Sequence, residues 1–192
     1  VNKAALWLAC PVAALAHTRG GEALGFAPGF QHPLSGLDHI LAMLAVGLWS
    51  AQLGAPAMWL LPVTFPALMA VGGMLGLLGL KLPGIEIAIA LSAIALGVAV
   101  WGEARPRLWV AAAIVGFFAI FHGDAHAAEL QPGIDGALYS LGFVLATGTL
   151  HAAGIGLGAT HRWTRGRMLL RATGGLIALA GVSFLCRAVI RL

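Results

Sequence analysis

Two short runs of this sequence concentrate the side chains that could do chemistry. The first, His32-Pro33-Leu34-Ser35-Gly36-Leu37-Asp38-His39, sets two imidazoles and a carboxylate close together. The second, His122-Gly123-Asp124-Ala125-His126-Ala127-Ala128-Glu129, holds two imidazoles and two carboxylates. On a helix, His122, His126 and Glu129 fall at i, i+4 and i+7 on one face, while Asp124 points elsewhere. Imidazole nitrogen with carboxylate oxygen suits a borderline divalent cation such as nickel, cobalt or zinc, and the lack of paired thiolates argues against copper(I). The competing account is structural: Asp38 pairs with a neighbouring histidine, and the second run is a solvated helix end where polar residues cost little.

Outside these runs, Glu86 opens an apolar stretch and is either a further ligand or an exposed acid near Lys81. His151 lies deep inside another stretch, among Thr147, Thr149 and Gly154. Ionisable groups at such depth pass on an ion or proton, or hydrogen-bond a neighbouring helix, and the sequence leaves both readings open. His161 sits among arginines as a loop residue. His17, if it became the first residue of a processed chain, would offer an amine and an imidazole for chelation.

The elements that position these groups are membrane helices. Of 192 residues, 60% are hydrophobic and only 9% charged, which excludes a water-soluble domain of ordinary composition. A span needs roughly 20 residues to cross about 30 Å of hydrocarbon. The apolar stretches predict an all-α polytopic transmembrane bundle of about six helices, at approximately 34–53, 57–79, 85–102, 107–123, 135–158 and 168–190. Pro33 suits a first helical position, which would place Asp38 and His39 one to two turns into the first helix. Ahead of it, Lys3, an apolar run from Ala4 to Leu15, and Ala14-Leu15-Ala16 before His17 match a secretory leader, so residues 1–16 are expected to be a cleaved signal peptide and residues 17–192 a single transmembrane domain. Cys10 belongs to that leader, and Cys186 is a small packing residue.

A leader places the mature N-terminus outside the cytoplasm, in a bacterial-type inner membrane. Arg105, Arg107, Arg162, Arg165 and Arg167 then fall on cytoplasmic connections, against Arg19, Lys81, Arg187 and Arg191 on the outer segments, a modest positive-inside bias. The formal charge of +4 reflects that bias rather than a nucleic-acid surface. The same topology brings His32, Asp38, His39, Glu86, His126 and Glu129 to the outer face. Glycines spaced by four, Gly72 with Gly76 and Gly154 with Gly158, read as faces for close helix packing.

The run Gly36-Leu37-Asp38-His39-Ile40-Leu41-Ala42-Met43-Leu44-Ala45-Val46-Gly47-Leu48-Trp49, the second His/Glu run, and Leu141-Gly142-Phe143-Val144-Leu145-Ala146-Thr147 closely resemble the HupE/UreJ family over nearly the whole chain. The resemblance implies a nickel permease, or a cobalt one, that supplies hydrogenase or urease. It implies that His32, Asp38 and His39 form one metal motif, Glu86 a helical acid, and His122, His126 and Glu129 a second motif. The family commonly has His where Asp124 stands and Gly where Ala127 stands, which could turn metal preference toward harder ions.

The expectation is therefore a non-enzymatic permease whose partners are a divalent cation, nickel(II) or else cobalt or zinc, the lipid bilayer and a downstream metalloenzyme maturation system. No prosthetic group and no nucleic acid are expected, and a homo-oligomer is compatible with the sequence. A membrane-embedded metal-dependent hydrolase is the second reading, weakened by the lack of a His-Glu-x-x-His run. A non-conducting metal sensor or assembly protein is the third.

Overall fold

The computed structural model describes residues 25–129 and 135–190, with the side chains of residues 128 and 129 outside the description. Every regular element among the described residues is helical: α1 (Phe26–Ser35), α2 (Leu37–Leu53), α3 (Ala57–Leu77), α4 (Ile85–Trp101), α5 (Leu108–Glu129), α6 (Gly136–Gly158), a 3-10 turn over Ala159–Arg162, and α7 (Thr164–Ile190). Helices α3, α5, α6 and α7 are each long and apolar enough to cross a bilayer, and α1 with α2 form a bent pair that passes the same test together. Helix α4 is apolar but shorter, at 17 residues. Large apolar side chains such as Val63, Leu77, Leu169, Leu176 and Leu179 are exposed on the flanks. Lipid is the solvent that removes the cost of that exposure. The chain is thus a multi-pass membrane protein, with four to five spans among the described residues by length and composition.

The sequence reading of the first helix needs correction. Its start at 34 lies inside α1, and Pro33 sits near the end of α1 rather than at the first position of the long helix. The chain then turns by 85° into α2. Gly36 makes this break with extended backbone, at φ −103° and ψ 120°, and Ser35 Oγ–H closes α1 by donating to the His32 carbonyl at 2.6 Å. Asp38 and His39 therefore occupy the first turn of α2, not its second. Helix α5 runs on to Glu129 instead of stopping at 123, so the whole second run is helical, and α7 begins at Thr164 rather than 168. At the start of α6, Asp135 caps the helix by accepting from the N–H groups of Ala137 and Leu138 at 2.9 and 3.0 Å. The expected leader, 1–16, and His17 lie outside the described residues.

Three helix pairs build the bundle, α3 with α5, α4 with α7, and α2 with α6, and α1 packs across α6. Each pair closes on glycine, because in lipid the association energy must come from close van der Waals packing. A methyl group on Gly123 of α5 would strike the Met69 carbonyl of α3, one on Gly97 of α4 would strike the backbone of α7 at Ala178, and one on Gly47 of α2 would strike the His151 carbonyl of α6. Gly72 and Gly154, singled out by their spacing, make such approaches to Ile120 and Leu44. The pairs touch one another less extensively than they touch within themselves. The core between them holds Trp49, Phe65, Leu61, Leu96 and Val115, all fully buried.

The two ends of the bundle differ. At one end Trp59, Trp101, Trp109 and Trp163 are all more than half exposed and lie beside Arg105, Arg107, Arg162 and Arg165. Tryptophans and arginines so placed anchor a bundle at the headgroup level. A clip at this end joins the α4–α5 connection to α7: Arg167 Nε–H donates to both carboxylate oxygens of Glu103, at 2.6 and 2.8 Å. That hydrogen bonding holds the Glu103 carboxyl below the usual range for glutamate. Trp49 reaches the same connection, its Nε1–H donating to the Ala104 carbonyl at 2.9 Å. The opposite end carries the histidines.

Candidate metal centre

At the histidine end, four imidazoles from three helices pack against one another. His39 of α2 lies with its ring centroid 4.9 Å from that of His122 and 4.6 Å from that of His126, both on α5. His32 of α1 meets His126 at 4.7 Å. The bend at Gly36 makes this meeting possible, because it folds α1 back over α6 so that His32 and His39, seven positions apart in sequence, approach His126 from different sides. His122 and His126 share one face of α5, as their spacing predicted, and both are buried.

Hydrogen bonds fix how three of these rings present their second nitrogen. Asp38 Oδ1 can only accept when ionised, so the 3.0 Å contact to His39 Nδ1 places a proton on Nδ1 and leaves the Nε2 lone pair open. Gly36 leaves room for this pair, since a side chain there would meet the Asp38 carboxylate and the His39 ring. Ser92 of α4 donates its hydroxyl proton to the Ile89 carbonyl at 2.6 Å, so it accepts from His122 Nε2–H at 3.0 Å. The Nδ1 lone pair of His122 is then open. His126 Nδ1 lies 2.8 Å from His32 Nε2, and in the tautomer where His126 donates, its Nε2 lone pair is open as well. His39 Nε2, His122 Nδ1 and His126 Nε2 are all buried without a hydrogen-bond partner. A carboxylate, hydroxyl or imidazole on the far nitrogen of each ring is the outer support that metal-binding histidines use. Among the described residues, no three His, Cys, Asp or Glu side chains already stand at coordinating distances around one point.

Glu86 is exposed in the first turn of α4, yet it shares a cavity of about 780 Å³ with Asp38 and His39. Arg187 of α7 lines the same cavity. Its far wall is apolar, and its polar groups are Asp38, His39, Glu86 and Arg187. Nothing is described of the Glu129 side chain, although α5 carries its backbone at the same end. A second, mainly apolar cavity of about 420 Å³ lies between α3, α5 and α6 and reaches His126 from the other side, past Met69, Tyr139 and Phe143.

His151 does not join the cluster. It is buried on α6, and Phe65 of α3 stands between, its ring centroid 5.4 Å from His122 and 5.6 Å from His151. His161 lies at the arginine end, where its Nδ1 meets the Gly158 carbonyl at 2.9 Å. Two members of the histidine-end environment escaped the sequence reading. Ser92 is one serine in an apolar helix, with no pattern to mark it. Asp124, expected off the ligand face and as a change in metal preference, has a partner far away in sequence: its Oδ2 accepts the Leu82 N–H at 2.8 Å, tying down the α3–α4 loop, and its Oδ1 faces Gly76.

Because Asp124 is engaged with that loop, Asp124→Ala is expected to destabilise the bundle by about 1–3 kcal/mol through the orphaned loop N–H. Thermal unfolding of purified protein would read this loss. An unfolding temperature equal to that of the wild type would mean that the Leu82 N–H finds another partner.

A bundle of apolar helices that gathers imidazoles at one end, under an acid-lined cavity, defines the class as a multi-pass membrane protein with a buried histidine cluster. Residues 5–184 match the family model described as HupE / UreJ protein, and the chain is 46% identical over 178 residues to Protein HupE of Rhizobium leguminosarum bv. viciae, covering 93% of both chains. It belongs to the HupE/UreJ family, whose members are membrane proteins associated with nickel and cobalt transport and with metal uptake for hydrogenase or urease, not a family of enzymes. No solved structure matches the chain.

Proposed function

We propose that the protein is a permease for a divalent transition-metal cation, nickel(II) before cobalt or zinc, supplying a hydrogenase or urease. The observation that carries this reading is the set of three buried imidazole lone pairs, on His39, His122 and His126, each opposed by a partner on the other ring nitrogen. Empty, such a set leaves polar atoms unsatisfied in a low-dielectric interior, and a borderline cation satisfies all of them together. Small ring rotations close the sphere. Asp38 and Glu86 draw the cation into the cavity, Asp38 and His32 steady the rings, and Glu129 completes the motif on α5.

In this reading the histidine end faces outward, and the arginine and tryptophan end faces the cytoplasm of a bacterial-type inner membrane. Helix α4 is the sixth span: at about 25 Å it is slightly short for the hydrocarbon, and its tight pairing with the longer α7 offsets the mismatch. Nitrogen ligands without thiolate keep binding weak enough for release.

Radiolabelled nickel uptake by cells expressing the protein, with cobalt, zinc and manganese as competitors, tests the cation. Cobalt and zinc should compete and manganese, an oxygen-preferring ion, should not. Suppression by manganese above all would contradict an imidazole-built site.

A further inference from the structure

We propose that the bundle holds a second, inner cation position, made by His151, Thr147 and the Pro62 carbonyl, with the Phe65 ring as the barrier between it and the outer histidines. This rests on the permease reading above.

The inner position is marked by unsatisfied polar atoms. Thr147 Oγ1 and both ring nitrogens of His151 are buried without a hydrogen-bond partner. Thr147 is wholly inaccessible and His151 is 2% exposed, so no outside solvent reaches them. The two residues are four apart on α6 and share a face. Across from them, α3 supplies an oxygen. Pro66 has no N–H to give to the carbonyl four residues earlier, so the Pro62 carbonyl has no partner within its helix. That carbonyl lies within reach of the His151 ring. In a bilayer interior, a carbonyl freed by proline finds its partner on a neighbouring helix. The His151 nitrogens and Thr147 Oγ1 are the buried polar atoms of α6 that share this interior with it.

Phe65 closes the way to this position. Its ring is fully buried and touches His122 on one side and His151 on the other. A cation leaving the outer cluster meets an aromatic face, which attracts positive charge but gives no ligand. The ring must turn aside for passage, and the backbone around it is suited to yield, because Pro62 and Pro66 flank it and remove two hydrogen bonds from that stretch of α3. His151 is held still by contrast, since α6 crosses α2 at Gly47 and Gly154 with backbone against backbone. The fixed inner ligands and the compliant barrier make the outer and inner positions alternately reachable. With one imidazole, the inner position binds nickel more weakly than the outer one, which suits release.

The test uses full-length protein in lipid nanodiscs for equilibrium binding of radiolabelled nickel, and in liposomes for flux. Wild type should show a second, weaker nickel beside the tighter one. His151→Leu should lose the weaker nickel, keep the tighter one, and lower flux by about tenfold or more. Phe65→Ala should keep both and speed nickel efflux from loaded liposomes severalfold. If His151→Leu does not reach the membrane, the nearly isosteric Thr147→Val carries the same test through a weakened second nickel. Binding and flux like the wild type in the His151 or Thr147 variant, while His39→Ala abolishes flux, would overturn the inner position and leave the permease standing. A wild type that neither binds nor carries nickel would overturn the permease and the inner position together.

Discussion

His39→Ala is expected to lower nickel uptake by at least about tenfold, and toward a hundredfold, with the protein still folded in the membrane. His39 is the hub of the cluster: its ring contacts both α5 histidines, and its Nδ1 is bound to Asp38. Alanine removes one of three open lone pairs and also frees Asp38, so both the ligand and its supporting carboxylate are lost. The folding cost is small by comparison, because α2 is held to α6 through Gly47 and Gly154, well below the first turn. Asp38→Asn separates the two contributions. It keeps an acceptor for His39 Nδ1 but removes the charge, so uptake should fall less than in His39→Ala. Uptake equal to wild type in both variants would leave the first motif without a role in transport.

Gly123→Ala is expected to be the most damaging single methyl in the bundle. The added carbon would run into the Met69 carbonyl and the Gly73 N–H, forcing α3 and α5 apart where they pack backbone against backbone. Overpacking of this kind costs about 1–3 kcal/mol, and here it also displaces the adjacent His122 from Ser92. The variant should therefore lose thermal stability and uptake together. Gly148→Ala on α6 is the control, since nothing lies within 4 Å of its added carbon. Equal stability of the two variants would mean that the α3–α5 crossing is looser than described.

The difference between Gly123 and Gly148 illustrates what could be read from the chain before its fold. Both are glycines in apolar helices, and only the partner helix distinguishes them. Spacing alone was enough for His122 and His126 to share a face, because 3.6 residues per turn is a local property. Apolar length was enough for most of the helices, with ends wrong by a few residues where polar side chains extend α5 and α7 past the apolar run. Local pattern failed at Gly36. A proline followed three residues later by glycine was read as a helix start, whereas packing of α1 on α6 turns it into a sharp corner that delivers His32 to His126. It failed again for Ser92, Asp124 and Phe65. Their roles come from residues 30, 42 and 57 positions away on other helices, and no periodicity within one helix carries that information.

Whether this chain by itself carries the cation across the membrane is read from purified protein reconstituted into liposomes containing a nickel-responsive fluorophore. Protein-containing vesicles should show saturable nickel entry, competed by cobalt and reduced at least about tenfold by His39→Ala. Folded, reconstituted protein that binds nickel but passes none beyond the rate of empty vesicles would contradict transport by this chain, and would make the histidine cluster the site of a sensor or an assembly partner.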